Sequence, residues 1–149
     1  MQYTIEHIAN ILKARHTGPQ SGNTISRLLT DSRSLGFPEE TLFFSIKTKH
    51  GDGHCFVEEL YKRGVKNFVV ENESIAEKFP NADFIIVDNS VKALQQLATH
   101  HRKQFDIPVV GITGSDGKTI VKEWLYHITA ANYMVTRSPR SYNSQIGVP

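Results

Sequence analysis

Cysteine is nearly missing from this sequence: Cys55 is the single one in 149 residues. A lone thiol cannot close an internal disulfide and has no CxxC companion, so an oxidatively stapled scaffold and a cysteine-type zinc site are excluded. Cys55 is expected to pack in the interior, as free cysteines usually do. Long apolar runs are missing as well. No stretch approaches the roughly 20 residues of a membrane-spanning helix, and Met1 to Lys13 is amphipathic rather than a basic head on an apolar core. The expectation is a cytoplasmic protein with no membrane contact. An excess of one charge is also lacking. Seventeen Lys and Arg face 15 Asp and Glu, a net charge of +2, with the basic residues spread along the chain. That balance argues against an obligate nucleic-acid binder. There is no internal repeat and no low-complexity segment. What is present, 39% hydrophobic and 21% charged residues, is the composition of a globular protein sized for one domain, or one plus a fragment.

Ile5, Ile8, Ala9 and Leu12 recur at helical spacing, and Gly18, Pro19 and Gly22 then break the pattern, predicting a short amphipathic helix. A strand is expected from Ile25 to Thr30 and a β-prone run from Thr41 to Lys47, separated by a turn-rich loop and followed by a polar loop from Lys49 to His54. The pattern then alternates: helix at Cys55–Arg63, strand at Val65–Glu71, short helix near Ser74–Lys78, strand at Asp83–Asp88, helix at Ser90–Phe105. This is an α/β rhythm. The strand cores VKNFVV and DFIIVD are almost continuously apolar, as expected where helices cover both faces of a sheet. In the last helix Val91, Leu94, Leu97, Ala98 and Phe105 fall along one side.

Asp106 to Pro108 reads as a joint, placing one α/β domain at 1–105 and the start of another at 106–149. In the second, Val109–Thr113 is expected as a strand, Lys118–Ala131 as a helix and Tyr133–Thr136 as a further strand. Val121, Trp124, Leu125 and Ile128 stand at i, i+3, i+4 and i+7, which assigns Trp124 to a core. Two strands and a helix cannot bury a core alone. This unit is expected either to dock on the first domain or, as the preferred reading, to open a longer protein.

Val109-Val110-Gly111-Ile112-Thr113-Gly114-Ser115-Asp116-Gly117-Lys118-Thr119 carries the most chemical information: an apolar strand, a glycine-bounded bend and a helix opened by Lys-Thr. The order is that of a P-loop. Glycines let successive N–H groups point at phosphate oxygens, and the helix N-terminus adds partial positive charge. Gly114, Ser115, Asp116, Gly117, Lys118, Thr119 and Ile120 are the candidate nucleotide-binding residues. Lys118 is the candidate catalytic cation, and the Thr119 hydroxyl the candidate Mg²⁺ ligand. A plain strand-to-helix turn with a surface lysine is the competing reading, and the agreement of glycines, Lys-Thr, strand and helix weighs against it. Asp116 is discordant. Its carboxylate would repel a phosphate by about 1 kcal/mol in water and about 4 kcal/mol at the screening of a protein surface, unless it faces solvent.

These residues resemble the Mur ligase family, the ATP-dependent enzymes that extend the peptide of the peptidoglycan precursor. Thr30-Asp31-Ser32-Arg33, Thr41-Leu42-Phe43-Phe44, Asp52-Gly53-His54 with Phe56, and Gly64 ahead of VKNFVV are similar to the family's N-terminal domain, which holds the UDP end of the substrate. Gly114 to Thr119 is similar to the family's G-x-x-G-K-[ST] loop, whose spacing differs from the commoner G-x-x-x-x-G-K-[ST]. Val121-Lys122-Glu123 and Tyr142-Asn143-Ser144-Gln145-Ile146-Gly147-Val148-Pro149 are similar to the branch that adds D-alanyl-D-alanine. The family often has Asn or Ser at the position of Asp116 and Asn at that of Ser144.

The resemblance implies a small α/β substrate-binding domain followed by the first βαβ unit of a P-loop ATPase domain. It implies ATP and Mg²⁺ as cofactors, and UDP-MurNAc-tripeptide and D-Ala-D-Ala as partners. In the implied reaction ATP phosphorylates the tripeptide's terminal carboxylate, and the dipeptide's amine attacks the acyl phosphate. Thr30, Ser32, Lys49, His50, Gly51 and Asn143 become the substrate-binding candidates. A complete ligase would continue through the rest of the ATPase domain and a third domain, so the chain alone is expected to be inactive. Read from the residues alone, Asp31-Ser32-Arg33 is a turn capped by its own side chains, and Asp52 with His54 a capped turn before the next helix. His100, His101 and His127 are assigned no catalytic role. The alternatives are an independent P-loop kinase or NTPase using Asp83 or Asp88 as its acidic strand, another Mur ligase adding the third residue, and a nucleotide-sugar binding module without catalysis.

Overall fold

Apolar alternation and helix caps set the architecture of the computed structural model, which describes residues 2–19, 22–48 and 51–138. A short strand β1 (Tyr3–Thr4) leads into α1 (Ile5–Leu12), whose first turn is capped by the Thr4 hydroxyl accepting from the His7 N–H at 3.2 Å. Left-handed Lys13 (φ 51°) ends the helix. Then come β2 (Arg15–Thr17), β3 (Thr24–Ile25), β4 (Arg27–Leu29), β5 (Thr41–Phe44), a hairpin of β6 (Lys47–Thr48) and β7 (Gly51–Asp52), α2 (Val57–Lys62), β8 (Asn67–Val70), α3 (Glu73–Ala76), β9 (Asp83–Ile86) and α4 (Ser90–Arg102). After α4 the described residues contain one more regular element, α5 (Lys118–Ala130). The chain divides into two compact units, Met1–Gln104 and Phe105–Val148.

The first unit is a mixed α/β fold around a five-stranded sheet in the order β2-β9-β8-β5-β4. Strands β4, β5, β8 and β9 run parallel, and β2 closes one edge antiparallel. The register aligns Phe43, Phe68 and Phe84 across three neighbouring strands. Period-two alternation sends all three to one face, where they pack with Val57 and Leu60 of α2 and with Ile75, Ala76 and Phe79. Leu42, Phe44, Val69 and Ile85 turn to the opposite face, where α1 packs on α4 and β9. Both faces are covered, as the apolar strand cores require.

Some elements are shorter than the sequence pattern. The run from Thr41 to Lys47 breaks after Phe44, because the Ile46 N–H turns back to the Phe44 carbonyl at 2.9 Å. Gly53 then fits against Ile46, where a Cβ would approach Ile46 N to 2.6 Å. Ser26 interrupts the Ile25–Thr30 strand by bonding to Glu40 through both backbone and side chain. Helix α4 ends at Arg102, and Phe105 is 48% exposed rather than part of its apolar side.

The second unit corrects three expectations. Val109–Thr113 and Tyr133–Thr136 form no strands, and only α5 of the predicted βαβ unit is present among the described residues. A strand exists through its neighbour's N–H and C=O groups, and among the described residues no paired strand accompanies them there. Helix α5 has no buried residue, and Trp124, assigned to a core by its spacing, is 67% exposed. Amphipathic spacing makes a face ready for burial, and it takes a second surface to bury it. No helix among the described residues is long and apolar enough to cross a membrane.

Candidate functional site

Open parallel sheets present ligand crevices at the carboxyl ends of their strands. In the first unit these ends carry several of the candidate residues. Thr30 follows β4 and is exposed. Asp31 then accepts from the Arg33 backbone N–H at 3.1 Å and from its Nε and Nη2 at 2.9 and 2.6 Å, so the capped turn read from the sequence is present. The Arg33 guanidinium, and after it the Arg33 backbone N–H, lower the Asp31 carboxyl to about 2. Ser32 is buried, and its carbonyl accepts from Arg63 Nη1 at 3.2 Å, fixing the turn to the end of α2.

The loop beyond β5 carries the hairpin. Gly51 is exposed on β7, whereas Lys49, His50 and Asn143 lie outside the described residues. Asp52 Oδ1 accepts from the His54 N–H at 2.9 Å and from its Nδ1 at 2.5 Å, capping the 3₁₀ turn Gly53–Phe56. These bonds, the backbone one foremost, hold the Asp52 carboxyl below the usual aspartate range. His54 Nε2 accepts from the Glu71 N–H at 3.0 Å, and Glu71 Oε1 accepts from the Ser90 N–H, the first residue of α4, at 2.7 Å. Cys55 is exposed on this turn, correcting its expected packing. The local Asp52–His54 cap was readable from spacing; the reach to Glu71, 17 residues on, was not.

In the second unit Gly114 (φ 151°) and Gly117 (φ 74°) hold conformations that favour glycine. Gly117 opens α5 with no side-chain cap, so its first-turn N–H groups have no side-chain acceptor from that position. Lys118 Nζ donates to the carbonyls of Gly114 and Ser115 at 2.5 and 3.1 Å, folding the ammonium onto the bend. Ser115, Asp116, Gly117, Lys118, Thr119 and Ile120 line an open depression of about 310 Å³. A Cβ on Gly117 would meet nothing within 4 Å. Helix N–H groups, an ammonium and space in one bend are the groups that receive an anion. Asp116 is exposed, so its carboxylate is not held inside the bend by burial.

Two further stretches make structural contacts of their own. Glu123 pairs with Lys122 at 3.3 Å and with Arg137, whose guanidinium lies 4.2 Å from the Tyr126 ring centroid. Lys122 Nζ also donates to the Ser138 carbonyl at 3.1 Å. The Lys-Glu pair therefore secures the chain after α5. Asp83 is fully buried at the amino end of β9, with one carboxylate oxygen 2.9 Å from His16 Nε2. It is a sheet-edge tie, which removes it as the acidic strand end of a kinase-type site. No group of three or more His, Cys, Asp or Glu among the described residues is arranged to hold a metal ion.

Comparison with known proteins bears on both units. No protein-family model matches the chain. It is 33% identical over 147 residues to the UDP-N-acetylmuramoyl-tripeptide–D-alanyl-D-alanine ligase of Bacillus subtilis, covering 98% of this chain and 32% of that protein. The corresponding ligase of Borreliella burgdorferi is 36% identical over 116 residues, 74% of this chain and 25% of that one. Among solved structures, MurF from Acinetobacter baumannii superposes with a TM-score of 0.86 at 28% identity, over 99% of this chain and 32% of that chain. MurF from Thermotoga maritima in complex with ADP gives 0.69 at 30% identity, over 82% and 27%. The chain spans about a third or less of the length of these relatives.

Proposed function

We propose, from homology to MurF ligases over nearly the whole chain, that residues 1–105 grip the UDP end of UDP-MurNAc-tripeptide and residues 106–149 open an ATP-binding domain. The alignment and fold match across both units carry this reading. The Gly114–Lys118 bend supports it from within the chain. In this reading the loop N–H groups and Lys118 receive the phosphates of ATP, the Lys118 ammonium leaving the Gly114 and Ser115 carbonyls. Ser115, Asp116, Gly117 and Ile120 line the same nucleotide site, and the Thr119 hydroxyl would hold Mg²⁺, which when bound neutralises phosphate charge.

Thr30, Ser32, Lys49, His50 and Gly51 take the uridine diphosphate, with hydroxyls suited to a uracil or ribose edge and cations to the diphosphate. Asn143 belongs to the same substrate reading. The complete ligase would join D-Ala-D-Ala to the tripeptide through an acyl phosphate, and its nucleotide substrates place it in the cytoplasm. The central demand is charge: a polyanionic nucleotide must approach a carboxylate, and oriented N–H groups and cations make that approach tolerable.

Separate calorimetric titrations of UDP and ATP test the reading. UDP binding with feeble ATP binding supports it. ATP binding without any response to UDP favours a free-standing P-loop NTPase. The chain alone is proposed to be inactive, and phosphate release above background with ATP, magnesium and both substrates would refute that part.

A further inference from the structure

The carboxyl ends of β7 and β8 and the start of α4 are joined by hydrogen bonds that neither the lysine bend nor the Thr30–Ser32 turn uses. Asp52 accepts from the backbone and from Nδ1 of His54, while Nε2 on the other side of the ring lies 3.0 Å from the Glu71 N–H. A backbone N–H can only donate, so Nε2 accepts and carries no proton. Nδ1 is then the protonated nitrogen, and it donates to the Asp52 carboxylate. Both ring nitrogens are committed, and the side chain is only 11% exposed. Glu71 passes the connection on to the Ser90 N–H, and the Gly53 N–H donates to the Ile46 carbonyl at 2.9 Å on the other side of the turn. The ring spans from the foot of the hairpin to the end of the central strand.

We propose that His54, as the neutral Nδ1–H tautomer, is a positioning residue that presets the β6–β7 hairpin against the end of β8 for uridine diphosphate. The proposal rests on the UDP reading of the first unit. A hairpin of two-residue strands has little intrinsic stability. Holding it in place before the ligand arrives spares the ordering cost that binding would otherwise meet. With both ring nitrogens bonded within the protein, His54 acts through the hairpin.

The test uses the full chain and its H54A, H54N and H54Q variants, titrated with UDP by calorimetry at a temperature where circular dichroism shows each one folded. Loss of the bridge is expected to weaken UDP binding about tenfold in H54A and H54N, the equivalent of one buried hydrogen bond. In H54Q the longer side chain carries an acceptor toward the Nε2 position and should hold affinity within about threefold of the unaltered chain. Long-range ¹⁵N–¹H correlation should show the His54 proton on Nδ1. A merely structural histidine would lower the melting temperature in every variant and leave UDP affinity of the folded protein unchanged, which overturns the proposal. A proton on Nε2 overturns it as well. If H54A does not fold, equal affinities in H54N and H54Q overturn it in the same way. Undiminished binding by H54A defeats this proposal alone, whereas no UDP binding by the unaltered chain defeats the reading beneath it.

Discussion

The two units contrast in what their apolar residues meet. In Met1–Gln104 three phenylalanines lie in register across the sheet and two helical layers close over its faces. In the second unit a 13-residue helix forms with equally good apolar spacing, yet none of its residues is buried, and Ile128 is 72% exposed. Helix formation is therefore settled locally, by backbone hydrogen bonds and a glycine start at Gly117. Burial needs a second surface, and the strands expected beside α5 need partners before they are strands at all.

Substitutions can break this contrast. The largest effect is expected for Phe68→Ala at the centre of the aromatic row, about 4 kcal/mol in urea denaturation through lost burial and a residual cavity. Asp83→Ala leaves His16 facing an empty acceptor position in the sheet and should cost about 3 kcal/mol by the same measurement. Deleting a comparably large ring in the other unit, by Trp124→Ala, should stay within about 0.5 kcal/mol. A large loss there would mean that α5 is covered in solution, and the contrast would fail.

Asp52 gives a subtler, pH-dependent effect. Its folded-state carboxyl is depressed by the His54 backbone N–H and ring, so its stabilising contribution is complete above the ordinary aspartate range. It is lost as pH falls through the depressed value. Asp52→Asn should flatten that acid-side decline in the melting temperature, and an unchanged acid-side profile would show that the cap does not form. Lys118→Ala should leave stability nearly unchanged and reduce whatever ATP affinity the chain shows by about tenfold, by removing a charge-assisted contact.

The legible part of the fold was the part governed by nearest neighbours and period. Phe68–Val70 and Phe84–Ile86 announced strands with two covered faces, and Asp52 caps the turn that follows it. Strand β2 was not legible, because Arg15–Thr17 is polar and becomes a strand only by pairing with Phe84–Ile86, about 70 residues away. Nor was the surface cluster of Tyr3 with His7, His100 and His101, which joins α1 to α4 and gives the paired histidines packing partners. At the site, the glycine bend with Lys118 was readable because spacing alone encodes it. The His54 bridge and the Glu71–Ser90 link were not, since they depend on which strand ends lie side by side.

Hydrogen exchange on the full chain, with UDP and ATP added separately, probes both units and both proposed ligands in one experiment. Amides of β5, β8 and β9 are expected to exchange slowest. UDP should slow exchange around residues 30–34 and 51–56, and ATP should act only at 114–120. Protection by UDP confined to the 114–120 bend, or core amides exchanging as fast as those of α5, would contradict the division of labour between a substrate-gripping sheet and a phosphate-receiving bend.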